Sequence, residues 1–260
     1  MLKFQLLCTT MNQKDFSKID EMRINSDVIF ANQCLETSYK EIEIKDGEFI
    51  AKMISTNTRG ASKNRNILLT YADADICMLA DDDVRYYDNY REIVLEEFKK
   101  NPNADMIVFN VDADSEIREN YRIIKDRRMR MWDKNPYGSV RVAFRLSSQR
   151  KMNIWFDVLL GPGGKYKSGE DTKFINDFRN KGQVYLCSKT IGKVDFSTSS
   201  WFRGYTEEYY FNQGAKIGAL YGKVKWLMII YYAVKIVTPN ISIMDRIKLM
   251  KQGLNDYKAM

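Results

Sequence analysis

The sequence predicts an α/β protein with a mostly parallel, doubly wound sheet. Short apolar runs alternate with helix-like periodicity over residues 1–111, the pattern of successive βαβ units. One of those runs, Ile76-Cys77-Met78-Leu79-Ala80, stops abruptly at three aspartates, Asp81-Asp82-Asp83. An apolar fraction of 45% with only 4 prolines in 260 residues describes a chain that buries a core and lacks disordered linkers.

Lys3 to Thr9 reads as the first strand and Lys14 to Arg23 as a polar helix. Asp27 to Ala31 and Phe49 to Ser55 are short buried strands. Gly60 to Tyr71 carries Ile67, Leu68 and Tyr71 at helical spacing and leads to the strand that ends in aspartates. Tyr90 to Lys100 puts Ile93, Val94 and Phe98 on one side, with acidic residues early and basic residues late, as the helix dipole favours. Asp105 to Val111 closes the βαβαβ series. Past it comes a basic cluster (Lys125, Arg127, Arg128, Arg130) and a strand over Ser139 to Leu146. The loop Leu160-Gly161-Pro162-Gly163-Gly164 then leads into a helix opening at Ser168-Gly169-Glu170-Asp171 and reaching about Asn180, with Gly182 as its stop. Gln183 to Cys187 reads as the last strand. Residues 1–205 are expected to form one domain, with halves at 1–111 and 112–205, and residues 206–260 a basic, aromatic helical tail.

In that tail, Trp226 to Val234 is apolar all round but only nine residues long, well short of the ~20 needed to span a bilayer. Pro239 separates it from Ser242 to Leu254. There Ile243, Ile247, Met250 and Leu254 share one face, and Arg246, Lys248 and Lys251 the other. The pattern fits a helix lying on an anionic membrane surface, and it fits equally a helical pair packed on the sheet. The net charge is +7, and from Ala215 onward eight basic residues face two acidic ones, so the tail carries most of the excess. The N-terminus, MLKFQLLCTTMNQKD, lacks the apolar length and cleavage site of a signal peptide.

Histidine is absent, which removes Ser-His and Cys-His nucleophiles, zinc–histidine sites and histidine bases. Cys8, Cys34, Cys77 and Cys187 are scattered without a Cys-x-x-Cys pair, the usage of reduced, cytosolic thiols. Acid–base work therefore falls to carboxylates, Lys, Tyr or Cys.

Three clusters carry the chemistry. Carboxylates at the exposed end of a buried strand suit a hard divalent cation, and strand ends are where α/β sheets bind ligands; an N-capping turn would need only one aspartate. Asn57-Thr58-Arg59-Gly60-Ala61-Ser62-Lys63-Asn64-Arg65-Asn66 opens a helix with a glycine and three cations, a setting for a diphosphate, although no P-loop is present. Gly169-Glu170-Asp171 places two carboxylates in a helix's first turn, where they either complement its dipole or offer a general base. A weaker set, Ser199-Ser200-Trp201-Phe202-Arg203-Gly204-Tyr205, suits either sugar stacking or ordinary packing.

In this order, Asn57-x-x-Gly60 with Arg65-Asn66, then Leu79-Ala80-Asp81-Asp82-Asp83, then Gly169-Glu170-Asp171, residues 1–205 resemble the family 2 glycosyltransferases of the GT-A fold. The resemblance implies a Rossmann-like domain with a nucleotide-binding half (1–111) and an acceptor-binding half (112–205). It implies inverting transfer of a sugar from a nucleotide-diphosphate-sugar, a UDP-sugar first among them, to a hydroxyl of a glycan or lipid-linked acceptor in cell-surface polysaccharide synthesis. By resemblance Asp83, with Asp81, would ligate Mn²⁺ or Mg²⁺. Thr9, Asn32, Asn57, Gly60, Arg65, Asp81 and Asp82 would hold the donor, and Asp171, helped by Glu170, would deprotonate the acceptor. Two positions depart from the family pattern. Ala31-Asn32-Gln33-Cys34 lacks the base-reading Asp at the second strand's end, and Gly192-Lys193-Val194-Asp195-Phe196 lacks a histidine near the diphosphate. The tail adds an expected peripheral contact with the cytoplasmic face of the membrane; a homodimer is compatible, and no nucleic acid partner is expected.

Other classes compete. A polymerase palm would place Leu-Ala-Asp-Asp in a hairpin, whereas Tyr86 to Lys100 reads as a helix. A prenyl synthase needs Asp-Asp-x-x-Asp, and Tyr86 stands where the third Asp belongs. A basic membrane- or nucleic-acid-binding module with structural aspartates would show salt-steep affinity for polyanions and no donor-dependent metal binding.

Overall fold

A computed structural model describes residues 2–113, 122–131, 133, 138–194 and 204–259. Its ten strands form one sheet in the order β3-β4-β2-β1-β5-β9-β7-β10-β6, with β8 pairing on β10. The strands are β1 (Phe4–Met11), β2 (Asp27–Gln33), β3 (Ser38–Ile44), β4 (Phe49–Thr56), β5 (Ile76–Asp81), β6 (Val84–Tyr86), β7 (Met106–Ala113), β8 (Arg127–Arg128), β9 (Val142–Arg145) and β10 (Val184–Val194). The helices are α1 (Lys18–Met22), α2 (Ala61–Tyr71), α3 (Tyr90–Lys100), α4 (Leu146–Lys151), α5 (Glu170–Lys181), α6 (Glu207–Leu220), α7 (Lys225–Lys235) and α8 (Ile243–Lys258). The pairings make β4, β2, β1, β5, β7 and β10 run one way, so the sheet is mostly parallel as predicted.

The continuous apolar runs have a plain cause. In β1, Leu6 and Cys8 enter one core cluster while Leu7 enters the other, and β2 divides Val28 and Phe30 from Ile29 and Ala31 in the same way. A sheet covered on both faces has no solvent side on which polar residues would alternate.

The differences from expectation are informative. β3, with the sequence SYKEIEI, was not anticipated: it is an edge strand exposed along most of its length, with Lys40, Glu41 and Glu43 blunting the edge instead of marking a buried face. A strand does follow the aspartates, because β6 begins at Val84, yet it pairs with β10 and not with β5. Among the described residues there is therefore no palm-type hairpin of β5 with β6. The stretch expected as one strand over Ser139 to Leu146 is a 3-10 turn (Ser139–Arg141), the short β9 and the start of α4. β9 also inserts antiparallel between β5 and β7, so β5 and β7 are not neighbours. Gly182 does end α5, in an extended conformation instead of a left-handed one; a Cβ there would lie 2.4 Å from Asp105 Oδ2.

The tail packs inward. α6 and α8 meet backbone to backbone at two glycines: a Cβ on Gly214 would lie 2.0 Å from the Met250 carbonyl, and one on Gly253 1.9 Å from the Phe211 carbonyl. Met250 and Leu254, assigned by spacing to one face of α8, lie buried against α6 and α7. Arg246, placed by the same reading on the polar face, is buried as well and donates to the carbonyls of Ala233, Ile236, Thr238 and Ile241, satisfying the end of α7. α8 thus uses the Ile247, Met250 and Leu254 part of its apolar stripe as core, while Ile243 at its start stays exposed. Tyr166 and Lys165 bond Asp256, and Tyr257 donates to Asp157, which ties α8 to the loop before α5. No helix among the described residues is long and apolar enough to cross a membrane.

Candidate active site

The parallel strands bring their C-terminal ends to one edge of the sheet, and β5 delivers Asp81 there beside Thr9 of β1. Because β9 runs antiparallel next to β5, the turn that precedes it sets Ser139 at the same edge. α2 and α5 cover this edge, contributing Arg65 and the Glu170–Asp171 pair.

Arg65 joins these elements. Its side chain is about 5% exposed and donates to Asp171 Oδ1 at 2.8 Å, to Asp81 Oδ1 at 3.0 Å and to Ser139 Oγ at 2.6 Å. Glu170 Oε1 lies 3.6 Å away, and the guanidinium rests over the Phe156 ring at 5.3 Å. Burial alone would push the guanidinium pKa down, but Asp171, Asp81 and Glu170 together hold it up. Removed from water, each charge here depends on the others for compensation.

The carboxylates respond in the opposite sense. Burial, reinforced by the neighbouring Asp171 charge, lifts Glu170 to about 7 despite Arg65. Asp171 is raised too, first by burial and then by Asp81, against the lowering effect of Arg65 and of the Ser139 N–H, which donates to its Oδ2 at 3.0 Å. Glu170 is thereby suited to taking a proton near neutral pH, and burial moves Asp171 in the same direction.

Thr9 Oγ1 donates to Asp81 Oδ1 at 2.7 Å and Thr10 Oγ1 to Asp82 Oδ2 at 2.5 Å, while Asp83 is exposed on the turn into β6. The three aspartates differ in their partners. Asp81 has both oxygens engaged, by Thr9 and by Arg65, and serves as Arg65's counter-ion. The fit to a hard cation rests on Asp82 Oδ1 and on the solvent-facing Asp83, an all-oxygen donor set that would leave further positions for water and phosphate. Elsewhere, ligand atoms of Glu97, Asp126 and Cys187 lie within 4.8 Å of one another near the start of β10. There Glu97 already carries Lys100 and Lys189 as counter-ions, each at 3.0 Å, so the group has no charge left to balance.

The other expected donor contacts are placed as follows. Asn32 is fully buried, and its amide is engaged with the backbone of Gln13 and with Ser55 Oγ. Asn57 is exposed on the turn after β4. Gly60, at φ +121°, donates its N–H to Gln33 Oε1, and the following Ala61 N–H donates to the Pro162 carbonyl. The start of α2, expected to face an anion, is therefore covered by the loop 161–164. A Cβ on Gly163 would sit 2.6 Å from Gly60 Cα, which explains glycine at both positions. Lys193 lies in β10, whereas Asp195, Phe196 and Ser199 to Arg203 lie outside the described residues.

Two contributors escaped sequence reasoning. Ser139 had no motif around it. Lys216 of α6 lays its stem over Gly169, whose Cβ would lie 3.1 Å from Lys216 Cγ. Burial lowers the Lys216 pKa, while the Glu170 and Asp171 charges act to raise it. Lys216 sits between the buried Ala215 and Ile217 in α6, which was the available signal.

A glycosyl transferase family 2 model matches residues 24–159, more than half of the chain and including the aspartate triplet. Three solved structures of TarS from S. aureus share the fold over 100% of this chain. TarS 1-349 has a TM-score of 0.60 at 12% identity, with 72% of that chain covered. Its complex with UDP-GlcNAc gives 0.61 at 13% with 73% covered, and its complex with UDP gives 0.59 at 14% with 72% covered. At such identities the likeness is one of fold. No curated protein matches the chain. With a matching family model, a GT-A sheet and carboxylates gathered where that sheet's strands end, this chain belongs to glycosyl transferase family 2 and is a glycosyltransferase.

Proposed function

We propose that this enzyme transfers a sugar, with inversion, from a nucleotide-diphosphate-sugar to a hydroxyl of a glycan or lipid-linked acceptor. The observation that carries this reading is the Arg65 junction, which holds Asp171, Glu170 and Asp81 at the strand ends. A UDP-sugar is the favoured donor because the similar fold of TarS has been solved with UDP-GlcNAc. Surface-polysaccharide assembly, with peripheral contact at the cytoplasmic membrane face, is the setting that agrees with the basic C-terminal segment.

In this mechanism Asp171 takes the proton of the acceptor hydroxyl as that oxygen bonds to the anomeric carbon. The carbon's bond to the diphosphate breaks on the opposite face, and the diphosphate leaves with the electron pair. Arg65 and the Ser139 N–H orient Asp171; each carboxylate oxygen keeps a lone pair for the proton. Glu170 shares the burial and tunes its neighbour, and Lys216 adds a positive field behind both. Asp82 and Asp83 would hold Mn²⁺ or Mg²⁺, which when bound neutralises charge on the diphosphate. Thr9 acts through Asp81, and Asn32 shapes the base pocket through Gln13.

A thermal-shift panel of nucleotide-sugars with and without Mn²⁺, paired with a transfer assay, tests the reading. Asp171→Asn is expected to keep the donor-induced shift and lose transfer by about 10²–10⁴-fold. Asp83→Ala is expected to lose the Mn²⁺-dependent shift. Transfer at the parental rate by Asp171→Asn would remove it as the base.

A further inference from the structure

The packing of α8 leaves α7 as the outward face of the C-terminal helices. Ile229 and Ala233 of α7 are buried, whereas Trp226, Leu227, Ile230, Tyr231 and Val234 are each between 45 and 68% exposed. Their spacing of i, i+1, i+4, i+5 and i+8 makes one continuous stripe along a helix about 16 Å long. Soluble surfaces rarely leave such a ridge uncovered.

Cations frame both ends of the ridge. Lys251 and Lys258 of α8 place their ammonium groups 6.0 and 5.9 Å from the centre of the Trp226 ring. Lys225 stands beside them, close enough to Lys258 that the contact lowers the Lys225 pKa. At the other end Lys235 donates to Tyr231 Oη at 2.9 Å. The carboxylates of α8 are engaged elsewhere: Asp245 caps α8 with Ser242, and Asp256 binds Lys165 and Tyr166. Among the described residues no acid pairs with Lys225, Lys251 or Lys258. Three like charges held together around an exposed indole, without counter-ions, call for an external anion.

We propose that the α7 ridge, and not α8, is the surface on which this enzyme docks to an anionic lipid bilayer. The helix lies in the interface plane, with Leu227, Ile230 and Val234 among the acyl chains and Lys225, Lys251 and Lys258 on lipid phosphates around Trp226. This inference refines the peripheral-contact part of the proposed function and is independent of the transfer chemistry.

Flotation of the full chain with phosphatidylcholine vesicles, with or without phosphatidylglycerol, tests it in the absence of donor. The expected result is binding to the anionic vesicles only, weakening with salt. Lys225→Gln/Lys251→Gln/Lys258→Gln should lower the affinity on the order of a hundredfold. Leu227→Ser/Ile230→Ser should release the protein too, both variants melting like the parent. Parental binding by both folded variants overturns the assignment, as does a parent that ignores anionic vesicles. A parent that stays off vesicles but forms a dimer broken by the same substitutions assigns the ridge to a second copy instead. If one variant fails to fold, the other, compared with the parent at each lipid charge and salt, decides. The donor-induced thermal shift, measured on the same samples, reports separately on the transferase reading.

Discussion

The candidate active-site edge and the C-terminal helices solve opposite electrostatic problems. At the edge, Arg65 is buried among three carboxylates that reach it from β5 and α5, so the charges of three elements depend on one another. In the helical segment, cohesion comes from glycines that let α6 and α8 touch, and Lys225, Lys251 and Lys258 stay outside around Trp226. A buried network ties activity to folding, whereas a small-residue seam leaves the outer surface free to take up a different role.

The comparison can be broken most severely at Arg65. Arg65→Met strands Asp81, Glu170 and Asp171 without their shared cation, and urea unfolding is expected to show a loss of about 3–5 kcal/mol. A loss below about 1 kcal/mol would mean that water already compensates the carboxylates. At the seam, Gly253→Val drives a side chain into the Phe211 carbonyl and should cost about 1–3 kcal/mol.

pH sharpens the contrast further. Glu170 binds its proton up to about 7 in the folded protein and up to about 4.5 when unfolded, so the folded state holds more protons in that window. Stability should therefore fall as pH rises from 4.5 to 7, and Glu170→Gln should flatten that slope in melting temperatures. An unchanged slope would assign the effect to Asp171. The smallest effect belongs to Gly218→Ala. The added Cβ meets the edge of Tyr257 at 3.2 Å, a side chain that can shift, and alanine's helix propensity offsets the contact, so melting should move by under about 2 °C.

Much of the domain was legible because its signals are local. Continuous apolar runs marked β1, β2, β4, β5 and β7, and period alone placed α2 and α3. β3 was hidden because an exposed edge strand carries no burial pattern; β9 lies inside the strand expected over Ser139 to Leu146, but its antiparallel place between β5 and β7 was not legible because those neighbours come from distant segments. The amphipathic stripe of α8 was read correctly as a stripe, yet periodicity does not say whether lipid or protein covers it.

By itself the sequence determined which residues could carry the chemistry: with no histidine, it left the triplet, Arg65 and the Glu170–Asp171 pair. Tertiary structure alone decided their partners. Residues 65, 81, 139 and 171 meet because antiparallel β9 enters beside β5 and α5 returns over the same edge, a proximity set by chain crossing. It also decided that Asp81 balances Arg65, that the loop 161–164 covers the start of α2, and that Lys216 comes to the site from the tail. Charge and spacing are written along the chain, but compensation between buried charges exists only once the fold has removed them from water.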